Sequence, residues 1–279
     1  MAGTTNYNAA GFDRIQYAVS TGGIPTDYAS LSADAGAGLT RLYAAQAADV
    51  SIPEGSTVQI EGDDGVDAQF QFDVTELEAF ALTLGRNNNA FINTIQGTTA
   101  IDLQSTWDVL ARNPKGRDFT DMFFLLTRRA QKRNGTTGAG YHHVIVSLAT
   151  GTYLGSAFGT QAAGAFNYNV VANYVDQTWF GNALGSDANE VSGKNFASSF
   201  EFVTDCAVSI DIYKSDGAAT SYTPNQSYRS GGTVLAWDCG DLALATVPAT
   251  LAITPSGGDF TFTAPDSGDY IAFIYEVDE

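Results

Sequence analysis

The chain reads as a mainly β protein, with antiparallel strands forming sandwich- or barrel-type sheets and one short flanking α-helix. Its 279 residues include 17 Phe, 13 Tyr, 3 Trp and 29 Gly, a mix that favours strands and tight turns over long helices. Apolar and polar residues alternate over many short runs, and Gly, Pro, Asn or Asp separates one run from the next. A chain of this length can bury a full core and hold one large β domain or two smaller ones.

The first strand is expected at Gly11–Val19, GFDRIQYAV. Ile24–Gly38 is rich in Gly, Ala, Ser, Thr and Asp and reads as a loop or arm rather than core. Leu39–Ala48 suits a short strand or a helical turn. Val50–Gly85 carries the clearest pattern. Val58 and Ile60 alternate with polar neighbours, and Glu61-Gly62-Asp63-Asp64-Gly65 turns the chain. Ala68, Phe70, Phe72 and Val74 then alternate with Gln69, Gln71, Asp73 and Thr75, as in a half-buried antiparallel hairpin. Next, an Asn cluster at Asn87-Asn88-Asn89 can N-cap a helix. Phe91, Ile92 and Ile95 form its apolar face and Gly97 its stop.

Ile101–Ala111 and Asp118–Arg133 read as strands about the turn Asn113-Pro114-Lys115-Gly116. Met122-Phe123-Phe124-Leu125-Leu126 is continuously apolar, so both faces of that strand should be covered. Strands are expected at Tyr141–Leu148 and Phe166–Tyr174, a polar loop at Asn182–Gly193, and strands at Phe200–Val203 and Cys206–Tyr213. Thr233–Trp237, Thr250–Thr254, Phe260–Thr263 and Tyr270–Val277 follow at turn-marked intervals, a sandwich-like spacing. Residues 1–215 are thus expected to form one β domain, and residues 216–279 a small β module or its final strands.

Charge is distributed unevenly. Lys and Arg number 13 against 31 Asp and Glu, for a formal charge of −18. Seven of the 13 cations lie between Arg112 and Arg133, opposed there only by Asp118 and Asp121. That stretch is about +5, while residues 1–111 carry about −11 and residues 134–279 about −12. So anionic a chain repels nucleic acid over most of its surface. Arg128, Arg129, Lys132 and Arg133 can meet the acidic face of another copy, where complementary charge sets register and orientation. A solvated strand end would give the same pattern.

Reactive constellations are sparse. His142 and His143 are adjacent on an expected strand, so they point to opposite faces and cannot readily share a metal. Gly155-Ser156-Ala157-Phe158-Gly159 has its serine misplaced for a nucleophile elbow, and Gly193-Lys194-Asn195 fails as a phosphate loop. The carboxylates of Glu61–Asp67 lack the spacing of a calcium loop and suit a charged hairpin tip. Glu76 and Glu78 are a pair of acids that chance readily supplies. Two cysteines, Cys206 and Cys239, make no disulfide framework; Cys206 is expected to be a small buried group in a strand. No run approaches the ~18 apolar residues of a membrane span. No catalytic, cofactor or metal site is expected.

Several segments resemble the major tail tube proteins of siphophage-type bacteriophages. Gly11-Phe12-Asp13-Arg14-Ile15-Gln16-Tyr17-Ala18 resembles their opening segment. Pro53-Glu54-Gly55 with Val58, Ile60, Glu61, Gly62 and Asp63 resembles their first hairpin. Phe80, Leu82 and Leu84, then a helix ending at Gln96-Gly97-Thr98, follow in the same order. Phe166–Tyr174 with Trp179-Phe180-Gly181 resembles a later strand and turn. The likeness spans roughly residues 10–215. It implies a virion structural protein, assembled in the host cytoplasm, whose unit is a hexameric ring stacking into a hollow tube alongside other tail proteins. Double-stranded DNA would pass through without specific binding. Gln69, Gln71 and Asp73 would be candidates for lining the lumen. Asp63, Asp64 and the basic stretch Arg128–Arg133 would be candidates for contacts between subunits or rings. A β-sandwich surface-decoration or glycan-binding module is the other expectation, with Trp179 or Trp237 stacking on sugars.

Overall fold

The computed structural model describes residues 7–21, 24–25, 31–43, 45–51, 57–62, 65–71, 79–85, 88–97, 101–102, 108–109, 120–132, 139–157, 165–172, 175–176, 196–197, 200–241 and 249–278. These residues are mainly β and pair antiparallel throughout. The first half holds β1 (Tyr7–Thr21), β2 (Ile24–Pro25), β3 (Ala35–Gly38), β4 (Thr40–Leu42), β5 (Ala45–Ser51), β6 (Thr57–Gly62), β7 (Gly65–Gln71), β8 (Ala79–Leu84), helix α1 (Asn89–Ile95), β9 (Ile101–Asp102), β10 (Asp108–Val109) and β11 (Asp121–Lys132). There follow β12 (Ala139–Ala157), β13 (Ala165–Ala172), β14 (Val175–Asp176), β15 (Phe196–Ala197), β16 (Phe200–Thr204), β17 (Val208–Lys214), β18 (Ser221–Tyr222), β19 (Val234–Asp238), β20 (Ala249–Leu251), β21 (Thr254–Ser256), β22 (Asp259–Thr261) and β23 (Tyr270–Glu276).

The largest sheet runs β2-β1-β11-β12-β13-β8-β5, with β4 added to β1 and β16 added to β12. A second sheet runs β20-β19-β23-β17-β3, and a third β18-β22-β21. The described residues therefore stack as helix, sheet, sheet and small sheet. Alternation along β11 shows why. Met122, Phe124 and Leu126 face a core that includes α1 (Phe91, Ile92, Ile95), β8 and β13. Phe123 and Leu125 face the other way, against Ile210 and Ile212 of β17 and Ala272 and Ile274 of β23. The apolar run is covered on both faces, as its lack of alternation requires. A third core joins the far side of the second sheet to the third, where Phe260 lies against Phe273 and Tyr275.

Local chemistry accounts for the helix. The Asn88 side chain accepts the Phe91 amide at 3.0 Å, a helix N-cap, and Gly97 follows the last turn at φ 60°. The acidic hairpin also forms. β6 and β7 pair with Val58 opposite Phe70 and Ile60 opposite Ala68, closing at Gly62 opposite Gly65.

Elsewhere the structure departs from the sequence reading. Residues Ala35–Gly38, read as part of a loop, are the edge strand β3 on β17. Alanine and glycine alternate in it. Ala37 packs into the core between the two large sheets, whereas a methyl group on Gly36 would collide with the Tyr222 ring and one on Gly38 with Asp211 Oδ1. Gly38→Ala should thus cost about 1–3 kcal/mol, the usual penalty of overpacking a filled site; an unchanged melting temperature would show that Asp211 and Asn225 can give way. Within Leu39–Ala48, Thr40–Leu42 form β4 and Ala45–Ala48 begin β5. Ile101–Ala111, read as one strand, contains the short pair β9 and β10, with Asp108 opposite Asp102. β12 runs to Ala157, well beyond the expected Leu148, because it changes partners: β11 and β16 flank its first half and β13 its second. Cys206 is buried as expected, but in a bend before β17 rather than in a strand. Strands on either side of residue 215 pair with each other, β17 with β23 over Val208–Lys214.

Candidate functional site

Four features bear on function: the basic end of β11, the paired histidines behind it, an adjoining cleft, and a buried carboxylate between the second and third sheets.

At the basic end, β11 sits between β1 and β12. Arg128 is half-buried and Arg129 exposed. The Arg128 Nε donates to His142 Nδ1 at 2.8 Å across the β11–β12 register, so this imidazole accepts at Nδ1. Lys132 lies in β11 opposite Tyr7. Arg133, Asp63, Asp64 and Asp73 lie outside the described residues, as do Glu76, Glu78 and Trp179. Gln69 and Gln71 are in β7, opposite Gln59 and Thr57. Arg128 and Arg129 thus share one strand end but point to opposite faces, with His142 beside Arg128.

His143 points the other way and is fully buried. Its Nδ1 lies 3.0 Å from Thr127 Oγ1 and its Nε2 2.8 Å from Thr204 Oγ1. Thr204 gives its single hydroxyl proton to the Cys206 carbonyl. It can therefore only accept from His143, which fixes Nε2–H as the donor and leaves Nδ1 to accept from Thr127. The threonine–histidine–threonine row looks like a nucleophile and base, but its proton runs the wrong way: Nε2 is not free to deprotonate Thr204. Phe202 stacks on the imidazole at 4.8 Å, so the histidine acts as a polar strut between β11, β12 and β16.

Thr204 and Phe202 also line a cleft of about 270 Å³, with Val208, Leu235, Ile274 and Tyr275 as apolar wall and Asp205 and Glu276 at its polar part. Glu276 is engaged, since its Oε2 accepts the Thr233 amide at 3.0 Å. Leu235 is 47% exposed. Trp237, expected as a possible sugar-stacking platform, is instead buried at 7% exposure between the two large sheets. Aromatic identity was legible in the sequence, but not which strand face the ring would take.

The buried carboxylate is Asp211 on β17. Its Oδ2 accepts the Tyr222 hydroxyl at 3.0 Å, the Tyr275 hydroxyl at 3.0 Å and the Asn225 amide at 2.8 Å. Its Oδ1 has no partner and faces Gly38. Desolvation raises its proton affinity above the ordinary carboxylate value, outweighing the hydrogen bonds that lower it. Tyr275 is raised too, first by burial and then by the neighbouring Asp211 charge. Nearby, Gln16 of β1 reaches across to β17, its Nε2 3.5 Å from Ser209 Oγ. None of these residues stood out in the sequence, because their partners are 11 to 193 positions apart and no spacing motif links them. Burial also pushes the Cys239 thiol up to about 12, which makes it inert.

Among the described residues, no group of three or more His, Cys, Asp or Glu could hold a metal ion, and no helix is long and apolar enough to cross a membrane. No family model matches the chain, and no curated protein matches it.

Proposed function

We propose that this chain is a virion structural subunit that self-assembles into stacked hexameric rings, forming the hollow phage tail tube through which DNA passes. The observation that carries the reading is the concentration of seven of the 13 cations in one short, net-positive stretch of an otherwise anionic chain, with exposed Arg129 at the end of a long central strand. On this reading the basic strand end meets an acidic face of a neighbouring subunit, and the anionic remainder lets DNA slide without sticking. Open sheets suit the role, since closing their edges between copies removes an aggregation hazard. Gln69, Gln71 and Asp73 are the lumen candidates, and Asp63 and Asp64 are further contact candidates.

Negative-stain microscopy of the purified protein over a range of salt concentrations tests the reading; monomers that persist at high concentration would sink it. Reversing Arg128, Arg129, Lys132 and Arg133 to glutamate should raise the concentration needed for assembly tenfold or more, a loss of about 1.4 kcal/mol or more per contact. Sedimentation velocity would reveal this, and unchanged assembly would make the basic stretch a solvated strand end.

A further inference from the structure

The cleft of about 270 Å³ opens between the β16 end of the first large sheet and β17, β19 and β23 of the second. Its side chains narrow the chemistry of an occupant. Phe202, Val208, Leu235 and Ile274 offer only apolar surface. The Thr204 hydroxyl is spent, donating to the Cys206 carbonyl and accepting from His143. The Tyr275 hydroxyl is spent too, donating to Asp211 Oδ2 at 3.0 Å and accepting the Gln226 amide at 3.1 Å. The charged groups are two carboxylates. Asp205 is exposed, and Glu276 commits Oε2 to the Thr233 amide at 3.0 Å yet keeps lone pairs for other donors. No cationic side chain is among the described lining residues.

We propose that this cleft binds a small primary amine, with its hydrocarbon body on the apolar wall and its ammonium at the Asp205–Glu276 end. The volume holds roughly nine non-hydrogen atoms at about 30 Å³ each, enough for an alkylammonium of about six carbons. An ammonium carries three donors and no acceptor, which matches a polar end built from carboxylate oxygens. Hydrogen bonds between opposite charges are also about twice as strong as neutral ones. An alcohol of the same length brings a single donor and no charge, and a carboxylate sets like charges together. The surroundings favour a cation further, since residues 134–279 carry about −12. Leu235 is 47% exposed, and the hydrocarbon body would cover it. The bound amine would touch both large sheets and brace them. The proposal is independent of the assembly reading.

Saturation-transfer NMR of the full chain with n-hexylammonium chloride gives the test. The amine should bind with a dissociation constant of about 1 mM or lower. 1-Hexanol should bind about tenfold more weakly or worse, and hexanoate should show no transfer. Glu276→Gln keeps an acceptor for the Thr233 amide but removes the charge, and should weaken amine binding about tenfold. Asp205→Asn, at an exposed position, should act in the same direction. Leu235→Trp should fill the cleft and abolish binding while leaving the melting temperature of the free protein nearly unchanged. Hexanol that binds as tightly as the amine would overturn the proposal, because the apolar wall alone would then account for binding. So would amine binding that survives both Glu276→Gln and Leu235→Trp, or no transfer from hexylammonium at about ten times the expected dissociation constant. Tighter binding of Nα-acetyl-lysine N-methylamide than of hexylammonium would assign the cleft to a lysine of another protein chain and overturn it as well.

Discussion

Replacing Asp211 with alanine should lower the stability of the folded chain by about 3–5 kcal/mol, because it strands two buried tyrosine hydroxyls and a backbone amide at once. The hydroxyls of Tyr222 and Tyr275 and the amide of Asn225 all converge on Oδ2, and Tyr222 and Tyr275 are themselves buried. These groups come from β18, β23 and the loop after β18, so one carboxylate ties the third sheet to the second. Urea denaturation of the full-length protein would measure the loss; a change below about 1 kcal/mol would mean that water replaces the carboxylate. Asp211→Asn keeps one acceptor oxygen and should cost less. It also carries a pH signature. Because burial raises the folded-state proton affinity of Asp211, its contribution to stability is full below the ordinary carboxylate range and is lost as pH rises through the raised value. The asparagine titrates nothing there, so the gap between wild type and Asp211→Asn should narrow as pH rises. A gap that widens would reverse the sign of the shift.

Phe124→Ala should be comparably damaging, at about 3–5 kcal/mol. The ring is fully buried at the centre of the largest sheet. It meets Phe80 edge-on at 5.4 Å and Phe91 of α1 at 6.3 Å, so truncation opens a cavity and removes two aromatic contacts. Phe124→Leu should recover more than half of the loss. Thermal melts of both variants would check this, and equal melting temperatures for alanine and leucine would show that α1 collapses into the space.

The sequence made some of this visible. β6 and β7, the helix with its Asn88 cap, and the doubly covered Met122–Leu126 run follow from period, punctuation and composition, all of which are local. β3 was hidden because Ala-Gly-Ala-Gly carries no apolar contrast; its glycines are set by Tyr222 and Asp211, in strands far along the chain. The second half of β12 was hidden because Ala149-Thr150-Gly151 resembles a turn, and only pairing with β13 extends it. In the candidate site, the cations on β11 were legible as charge, whereas the His143 strut and the Asp211 cluster arise from tertiary placement alone. The sugar-stacking exposure expected of Trp237 is missing for the same reason: its strand face is chosen by the packing between the two large sheets.

Between Gly38 and Thr40 the chain leaves β17 and joins β1, so that one residue, Leu39, spans the two large sheets. Its amide still bonds to Ile210 of β17 at 3.3 Å, and the next three residues are already paired with β1. In mechanical terms this is a stitch. Sliding one sheet over the other at this seam pulls on covalent backbone as well as on side-chain packing. A subunit so joined would resist shear at that seam with the stiffness of a polymer bond.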